Sequence, residues 1–389
     1  MKFSQLKWVS NKACYLFLGA IVAGFFNLNL LEATNSDNQE RLKEHEYINE
    51  SIQVFERVGR YDKALETARK AYQAALVEER VQEAQVLFQR VDYLEQQLLS
   101  MGYSRVLFDE NYEPRAQLLQ LLEVVGMPSL DSSQEAIFQI NDWAQKNLLR
   151  QGERWQEQTT RFEALKTSVN PLLSELGFIE TVAPHFKEYE GAIVHGALLP
   201  RVRHRLHYLI EQWKQGVRFT HLYFLGGERP LEATKENKEA FIDDKDSALK
   251  IRSGWIEPEK WPETECEMMQ LVWEQSDIPP DMLKQVKVFF VNAPMKKDPR
   301  SEKLIRPTTD DTILSWLKLN PLCGRYLAIT NAPYINRQDM VIRMIATSGY
   351  GFDTVGSGAS EQEKMAIFLD ELARLVFQTK LAYEKTLIK

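Results

Sequence analysis

A chain of 389 residues, 44% hydrophobic and 26% charged, has a globular composition and enough length for two folded regions, which sets aside a disordered or fibrous protein. Its formal net charge of -7 argues against a nucleic-acid-binding protein, because binding to phosphate backbones needs a net cationic surface. A local basic cluster can still hold a small anion, since a site responds to the nearby field and not to the total.

At the N-terminus, Lys2, Lys7 and Lys12 precede an uncharged apolar run from Ala13 to Leu31. Basic residues followed by an apolar run are the order of a signal peptide or signal anchor, and roughly 19 apolar residues just span a bilayer. Leu31 and Ala33 around Glu32 make a poor cleavage site. Residues 1–36 are therefore expected to be retained as a single-pass anchor in an inner membrane, with the lysines inside and the bulk of the chain periplasmic or otherwise exported. Cys14 lies in the run but lacks the aliphatic and small residues of a lipoprotein box. Cys266 and Cys323 read as separate thiols and not as a disulfide.

Residues 37–184 read as all-helical. Ile48, Ile52 and Phe55, then Ala64, Leu65, Ala68, Tyr72 and Leu76, recur at three- and four-residue steps. The stretch GRYDKALETA, Gly59 to Ala68, resembles the start of a tetratricopeptide repeat. No second copy follows one period later, so an ordinary helical hairpin is expected. Ser132 with Glu135 announces a further helix whose apolar face is Ile137, Phe138, Ile140 and Trp143. Another runs through the 150s to 170s and stops at Gly177. No His, Cys or carboxylate cluster here has metal-ligand spacing, which leaves helices 38–176 as a spacer or a platform for a protein partner.

From residue 185 to 389 the rhythm changes to short apolar runs alternating with amphipathic stretches, which predicts an α/β fold. Strands are expected at AIVHGA (Ala192 to Ala197), HLYFL (His221 to Leu225), VKVFFVN (Val286 to Asn292), RYLAITN (Arg325 to Asn331) and around Gly351 to Val355. Helices are expected from Arg201 to Gln215, near Thr264 to Glu274, after Thr309 or Asp310, from Ile335 and from Ser360. The predicted architecture is an open, mostly parallel Rossmann-like sheet of about five strands.

In such a sheet, ligands bind beyond the carboxyl ends of the strands, where loop amides and helix N-termini are available. That rule selects the loops carrying His195 and Gly196, Gly226 to Arg229, Asn292 to Thr309, Thr330 to Arg337, and Gly356 to Ser360. Arg229, Lys296, Lys297, Arg300, Arg306 and Arg337 make these loops basic, and Gly226 and Gly227 permit close backbone approach. A phosphorylated or carboxylated small molecule is the expected ligand. Glu228, Glu265 and Asp311 offer a general base, or help for a divalent ion on a diphosphate. His204 and His207 share a helix face and could meet His195, but no Cys or acidic residue has a matching interval, so no metal site is predicted. The sequence specifies no cofactor.

These motifs, in this order, resemble the SanA/ElyC/YdcF family of bacterial envelope-associated domains over roughly Gly191 to Arg337. AIVHG is followed by Arg205, then Gly216, then a strand closing on LGG, with Leu225 where the family has serine. TECEMM resembles the family's helix start and places Glu265 at its glutamate. Thr309, Asp310, Asp311 and Thr312 are similar to its Ser-x-Asn-Thr turn, with Leu314 and Ser315 replacing the following Glu-Asn. TNAPYINR, Thr330 to Arg337, is similar to its Thr-Ser-x-x-His-x-x-Arg motif, with Tyr334 at the histidine. The resemblance implies a Rossmann-like envelope domain in polysaccharide or lipid-carrier metabolism. The strand-end loops and these motifs taken together give His195, Gly196, Arg205, Gly226, Gly227, Arg229, Thr309, Thr312, Thr330, Tyr334 and Arg337 as the expected ligand contacts, with Glu265 or Asp311 expected to do proton or metal work. Tyr334 and the replaced Glu-Asn leave the anion-binding role of Arg337 in place while removing groups a shared catalytic step would use. Three readings follow: an envelope enzyme acting on a lipid-linked or nucleotide-activated substrate, a non-catalytic binding module whose helices recruit a partner, or a structural protein with a vestigial α/β domain.

Overall fold

The computed structural model describes residues 46–55, 61–101, 106–131, 133–150, 159–245, 247, 249–298, 301–346 and 349–387. The expected anchor at 13–31, Ser132 and Arg300 lie outside these residues. Among the described residues no helix is long and apolar enough to cross a membrane. The chain divides after Gln53. Residues 46–53 are helical, and the elements below belong to the unit Val54–Lys389.

Helices α1 (Tyr61–Val77) and α2 (Val81–Met101) form the hairpin expected from the Gly59 motif. Ala64, Ala68 and Ala75 are fully buried on α1, which lets the two backbones approach closely, while Leu87 and Leu94 fill the seam from α2. Next come α3 (Ala116–Val124), α4 (Ala136–Asn147) and α5 (Lys166–Glu175). The N-cap of α4 is Glu135, in extended conformation and without a side-chain cap bond, so the expected Ser132 start lies several residues before the helix. Gly177 adopts φ +71 just past α5, the left-handed turn that ends a helix and that favours glycine.

The second half alternates strands and helices in the expected order. It runs β1 (Gly191–His195), α6 (Leu199–Lys214), β2 (His221–Gly227), α7 (Lys238–Ile242), α8 (Glu265–Gln275), α9 (Pro280–Gln285) and β3 (Lys287–Ala293). It continues through β4 (Lys296–Lys297), β5 (Leu304–Ile305), α10 (Thr309–Leu317), β6 (Gly324–Asn331), α11 (Ile335–Ile345), β7 (Tyr350–Ser357) and α12 (Met365–Leu387). The five-stranded sheet has the order β3-β2-β1-β6-β7, and every neighbouring pair is parallel. The sheet is thus wholly and not mostly parallel, and β4 with β5 forms a separate antiparallel pair. The chain builds outward from β1 to β3 and then returns to the other side of β1, so the strand order reverses between β1 and β6.

Side-chain alternation explains why these strands read as continuous apolar runs: both faces are covered. Val194, Leu222, Phe224, Leu327 and Ile329 pack with Leu206, Leu209 and Trp213 of α6 and Met269 of α8. Ile193, Tyr223 and Tyr326 point the other way, against Ile313 and Trp316 of α10 and Val341 and Ile342 of α11. A third core joins α3, α4 and α5 to α12 through Leu118, Leu121, Ile137, Ile140, Leu173, Phe368, Leu369 and Leu372. Helices α3, α4 and α5, which precede the sheet, and the last helix, which follows it, therefore share one interior.

Candidate functional site

A cavity of about 350 Å³ opens at the carboxyl edge of the sheet. Its lining comes from the ends of β1 and β2, the segment leading into α10, the start of α11, and residues of α4 and α12. It lies beside the reversal between β1 and β6, where successive connections leave in opposite directions and open a crevice. Of the residues singled out from sequence, His195, Gly196, Arg229, Glu265, Arg306, Thr309, Thr312 and Arg337 line this cleft, whereas Arg205, Gly226, Gly227, Glu228, Lys296, Lys297, Asp311, Thr330 and Tyr334 do not.

His195 ends β1 and, by alternation, faces α10 and α11. The residue is 1% exposed, and its Nε2 is buried with no hydrogen-bond partner among the described residues. Burial, reinforced by the Arg205 and Arg337 guanidiniums, pushes the imidazole down to about 3, so it is neutral near pH 7.

Arg337 is in the first turn of α11, and its guanidinium is gripped from behind by Glu371 of α12. Its Nε donates to Oε2 at 2.5 Å and Nη2 donates to Oε1 at 3.4 Å, a pairing that does not use Nη1, and the residue lines the cleft. Arg374 is arranged the same way: Nε and Nη2 donate to the two oxygens of Asp370, at 2.9 and 3.1 Å. Burial pushes the Asp370 carboxyl up, but Arg374 and Arg150 more than offset it, so it sits below the usual carboxylate range and stays ionised. Gln338 follows Arg337 on α11 and also lines the cleft. Its Oε1 accepts from the Thr330 hydroxyl, which turns the amide so that its NH₂ donors remain available to the cleft. Thr330, fully buried, thus positions a donor and touches nothing in the cleft itself.

Across the cleft, Arg229 donates to both oxygens of the buried Glu236, at 2.8 and 3.1 Å, and lies 3.6 Å from Glu265. Burial alone would lower the Arg229 pKa, but Glu236 and Glu265 outweigh it and raise it. Glu265 is the first residue of α8, whose cap is the reciprocal pair of Thr264 and Glu267. Because Glu267 does the capping, the Glu265 carboxylate can lean into the cleft beside Gly196. A Cβ at position 196 would lie 2.7 Å from the Leu225 carbonyl and 3.0 Å from Glu265 Oε1, so glycine is what admits the carboxylate there.

The residues outside the cleft have identifiable work. Arg205 is fully buried; its Nε donates to Asn331 Oδ1 at 2.9 Å and its Nη1 to the carbonyls of His195 and Gly196, each at 2.8 Å. It ties the end of β1 to the end of β6 across the strand-order reversal. Tyr334 lies under the Arg201 guanidinium, 4.7 Å from ring centre to Cζ. A Cβ on Gly226 would meet the Cys266 backbone at 2.9 Å, and one on Gly227 would meet Pro307 at 2.4 Å. These glycines bring α8 and the segment before α10 down onto β2; they do not make room for a ligand. Asp311 caps α10, accepting from the amide and hydroxyl of Thr308 at 2.7 Å each, and pairs with Lys296 at 2.6 Å. Its neighbour Asp310 lines the cleft instead. His204 bonds to Ser357, and among the described residues no His, Cys, Asp and Glu cluster is placed to hold a metal ion. Cys266 and Cys323 are both free thiols, the first buried and the second exposed.

Gln145, Leu149, Gln338, Arg374, Phe377 and Gln378 also line the cleft, although nothing in the sequence placed them there. The steps Glu371, Arg374, Gln378 form one stripe of α12, a spacing visible in sequence, but only packing shows what the stripe faces. Searches against protein-family models, curated proteins and solved structures find no match to this chain.

Chemically, four arginines, Arg229, Arg306, Arg337 and Arg374, meet two carboxylates, Glu265 and Asp310, on the cleft surface. Each of Arg229, Arg337 and Arg374 is braced by an acid, so its geometry is set before any ligand arrives. Pre-set guanidinium and amide donors around a crevice favour planar or tetrahedral oxyanions.

Proposed function

We propose that the protein binds a small phosphorylated or carboxylated molecule in this cleft. The observation that carries the reading is the pair of guanidiniums, Arg337 and Arg374, each held from one side by a buried acid and each offering its other side to the cleft next to the Gln338 amide. An oxyanion seated there would take charge-assisted bonds from both arginines and a neutral bond from Gln338. The His195 imidazole beneath it is neutral and can supply one further hydrogen bond without contributing charge.

Catalysis is the second reading, and Glu265 favours it: it is a carboxylate on the cleft surface beside Gly196, with Arg229 at 3.6 Å to steady it. It would act as the proton acceptor in a hydrolytic or transfer step on the bound anion. Asp311 takes no part in this reading, because its carboxylate is committed to the α10 cap and to Lys296. We further propose the setting that the sequence motifs suggested: a SanA/ElyC/YdcF-like envelope protein, anchored by residues 1–36, whose helices 38–176 meet a protein partner.

Calorimetric titration with inorganic phosphate and pyrophosphate tests the binding reading. Affinity should fall at least about tenfold in Arg337→Met/Glu371→Gln, which removes the donor without stranding its acid, and should weaken with rising salt. Absence of binding by either anion, or equal affinity in the double variant, overturns it. Turnover of a phosphate-ester panel that disappears in Glu265→Gln, with binding retained, would establish the enzyme reading over the module.

A further inference from the structure

The cleft has two chemically different walls. One is the sheet edge with its charged groups: Arg229, Glu265 and the start of α11. The other is built by α4, the residue Leu149 just past it, and α12; beyond the one guanidinium of Arg374 it presents Leu149, Phe377 and the amides of Gln145 and Gln378. This second wall is a constructed surface. Gln145 Nε2 donates to the Ala373 carbonyl at 2.8 Å, which fastens α4 to α12 and leaves Oε1 as an acceptor. The Arg150 amide donates to Asp370 at 3.0 Å, so the chain that follows Leu149 is pinned to the same acid that braces Arg374. Phe377, one turn beyond Arg374 on α12, is 37% exposed, an aromatic ring left partly uncovered beside a cationic anchor. An oxyanion alone has no use for an apolar ring, and five heavy atoms fill well under half of a cavity of about 350 Å³, a space worth roughly a dozen water volumes.

We infer that the ligand is a monophosphate ester of a neutral, ring-sized organic group, with the phosphate on Arg337, Arg374 and Gln338 and the ring against Phe377 and Leu149. This rests on the proposal that the cleft holds an anion and adds the class of group attached to it. The ring group carries hydroxyl or amide donors, because the second wall offers it the Gln145 carbonyl oxygen. The cavity volume suits a sugar phosphate or a nucleoside monophosphate, and the polar amides beside Phe377 match a ring that bears donors better than an alkyl chain.

Calorimetric titration of the full chain with four probes tests this: inorganic phosphate, a hexose 1-phosphate, a nucleoside 5′-monophosphate and dodecyl phosphate. At least one ring ester should bind about tenfold or more tightly than inorganic phosphate, and which of the two does so separates sugar from nucleoside. Phe377→Ala should erase that margin while leaving phosphate affinity unchanged, and Phe377→Tyr, which keeps the ring, should preserve it. The inference fails if both ring esters match inorganic phosphate, if dodecyl phosphate is the tightest probe, or if Phe377→Ala weakens ester and phosphate equally. Absence of binding by all four probes defeats the anion reading as well, whereas phosphate binding without an ester margin defeats this inference alone.

Discussion

His195 shows how one buried side chain couples site and stability. Its imidazole has a folded-state pKa of about 3 against an ordinary 6.5, because burial and two guanidiniums oppose its charge. Between those values the unfolded chain binds the proton and the folded chain does not, so stability is complete above pH 6.5 and declines as pH falls toward 3. The contribution of this one group is about 1.4 kcal/mol per pH unit within that window. His195→Asn should therefore flatten the acid limb of a urea-denaturation series by about that slope, and an unchanged limb would show the imidazole to be solvated. Arg337 behaves differently, since its partner Glu371 is 1% exposed. Arg337→Ala strands a buried carboxylate and should cost about 3–5 kcal/mol at neutral pH, most of which Arg337→Met/Glu371→Gln recovers. Denaturation midpoints of the two variants measure the difference.

At the scale of elements, α10 shows why neighbouring residues have unrelated roles. Successive helical side chains point about 100° apart, so Asp310 reaches the cleft while Asp311 turns back to cap the helix. Asp311→Ala should lose about 1 kcal/mol of stability through the missing cap and leave phosphate affinity unchanged. A fall in affinity would return Asp311 to the site. The sequence motif at Thr309 to Thr312 was legible as a helix start, and the structure places Thr309 and Thr312 on the cleft. The assignment of its acid was not legible, because a carboxylate in a first turn serves equally as a cap or a ligand group. Arg205 was misread for a related reason. Its place in the family-like motif suggested an anion anchor, but three carbonyl-type acceptors, the His195, Gly196 and Asn331 oxygens, already take its Nε and Nη1 donors.

For the whole molecule, α12 is the element on which the two halves depend. It closes the core of α3, α4 and α5 with Phe368, Leu369 and Leu372, and it brings Arg374, Phe377 and Gln378 to the cleft. Leu369 is fully buried there, so Leu369→Ala should cost about 2–5 kcal/mol, the range for a leucine deleted from a packed interior. Because that interior is shared, unfolding monitored by helix signal and by tryptophan fluorescence should move together. Separate transitions for the two probes would show the helical region and the sheet to be independent.

The local chemistry of the chain determined its own strands and helices. The parallel strands were readable because burial on both faces imposes unbroken apolar runs, and most helices because their apolar stripes keep a 3.6-residue period. The loops that could carry a site were readable for the same reason, since a strand's carboxyl end is visible once the strand is. Strand order, the reversal between β1 and β6, and the docking of α4 and α12 over the sheet edge belong to tertiary packing. Those contacts join residues more than a hundred positions apart, such as Gln145 with Ala373, and no periodicity in a sequence encodes which distant face a stripe will meet. Tertiary structure alone therefore decided which arginines face the cleft and which are spent holding the fold.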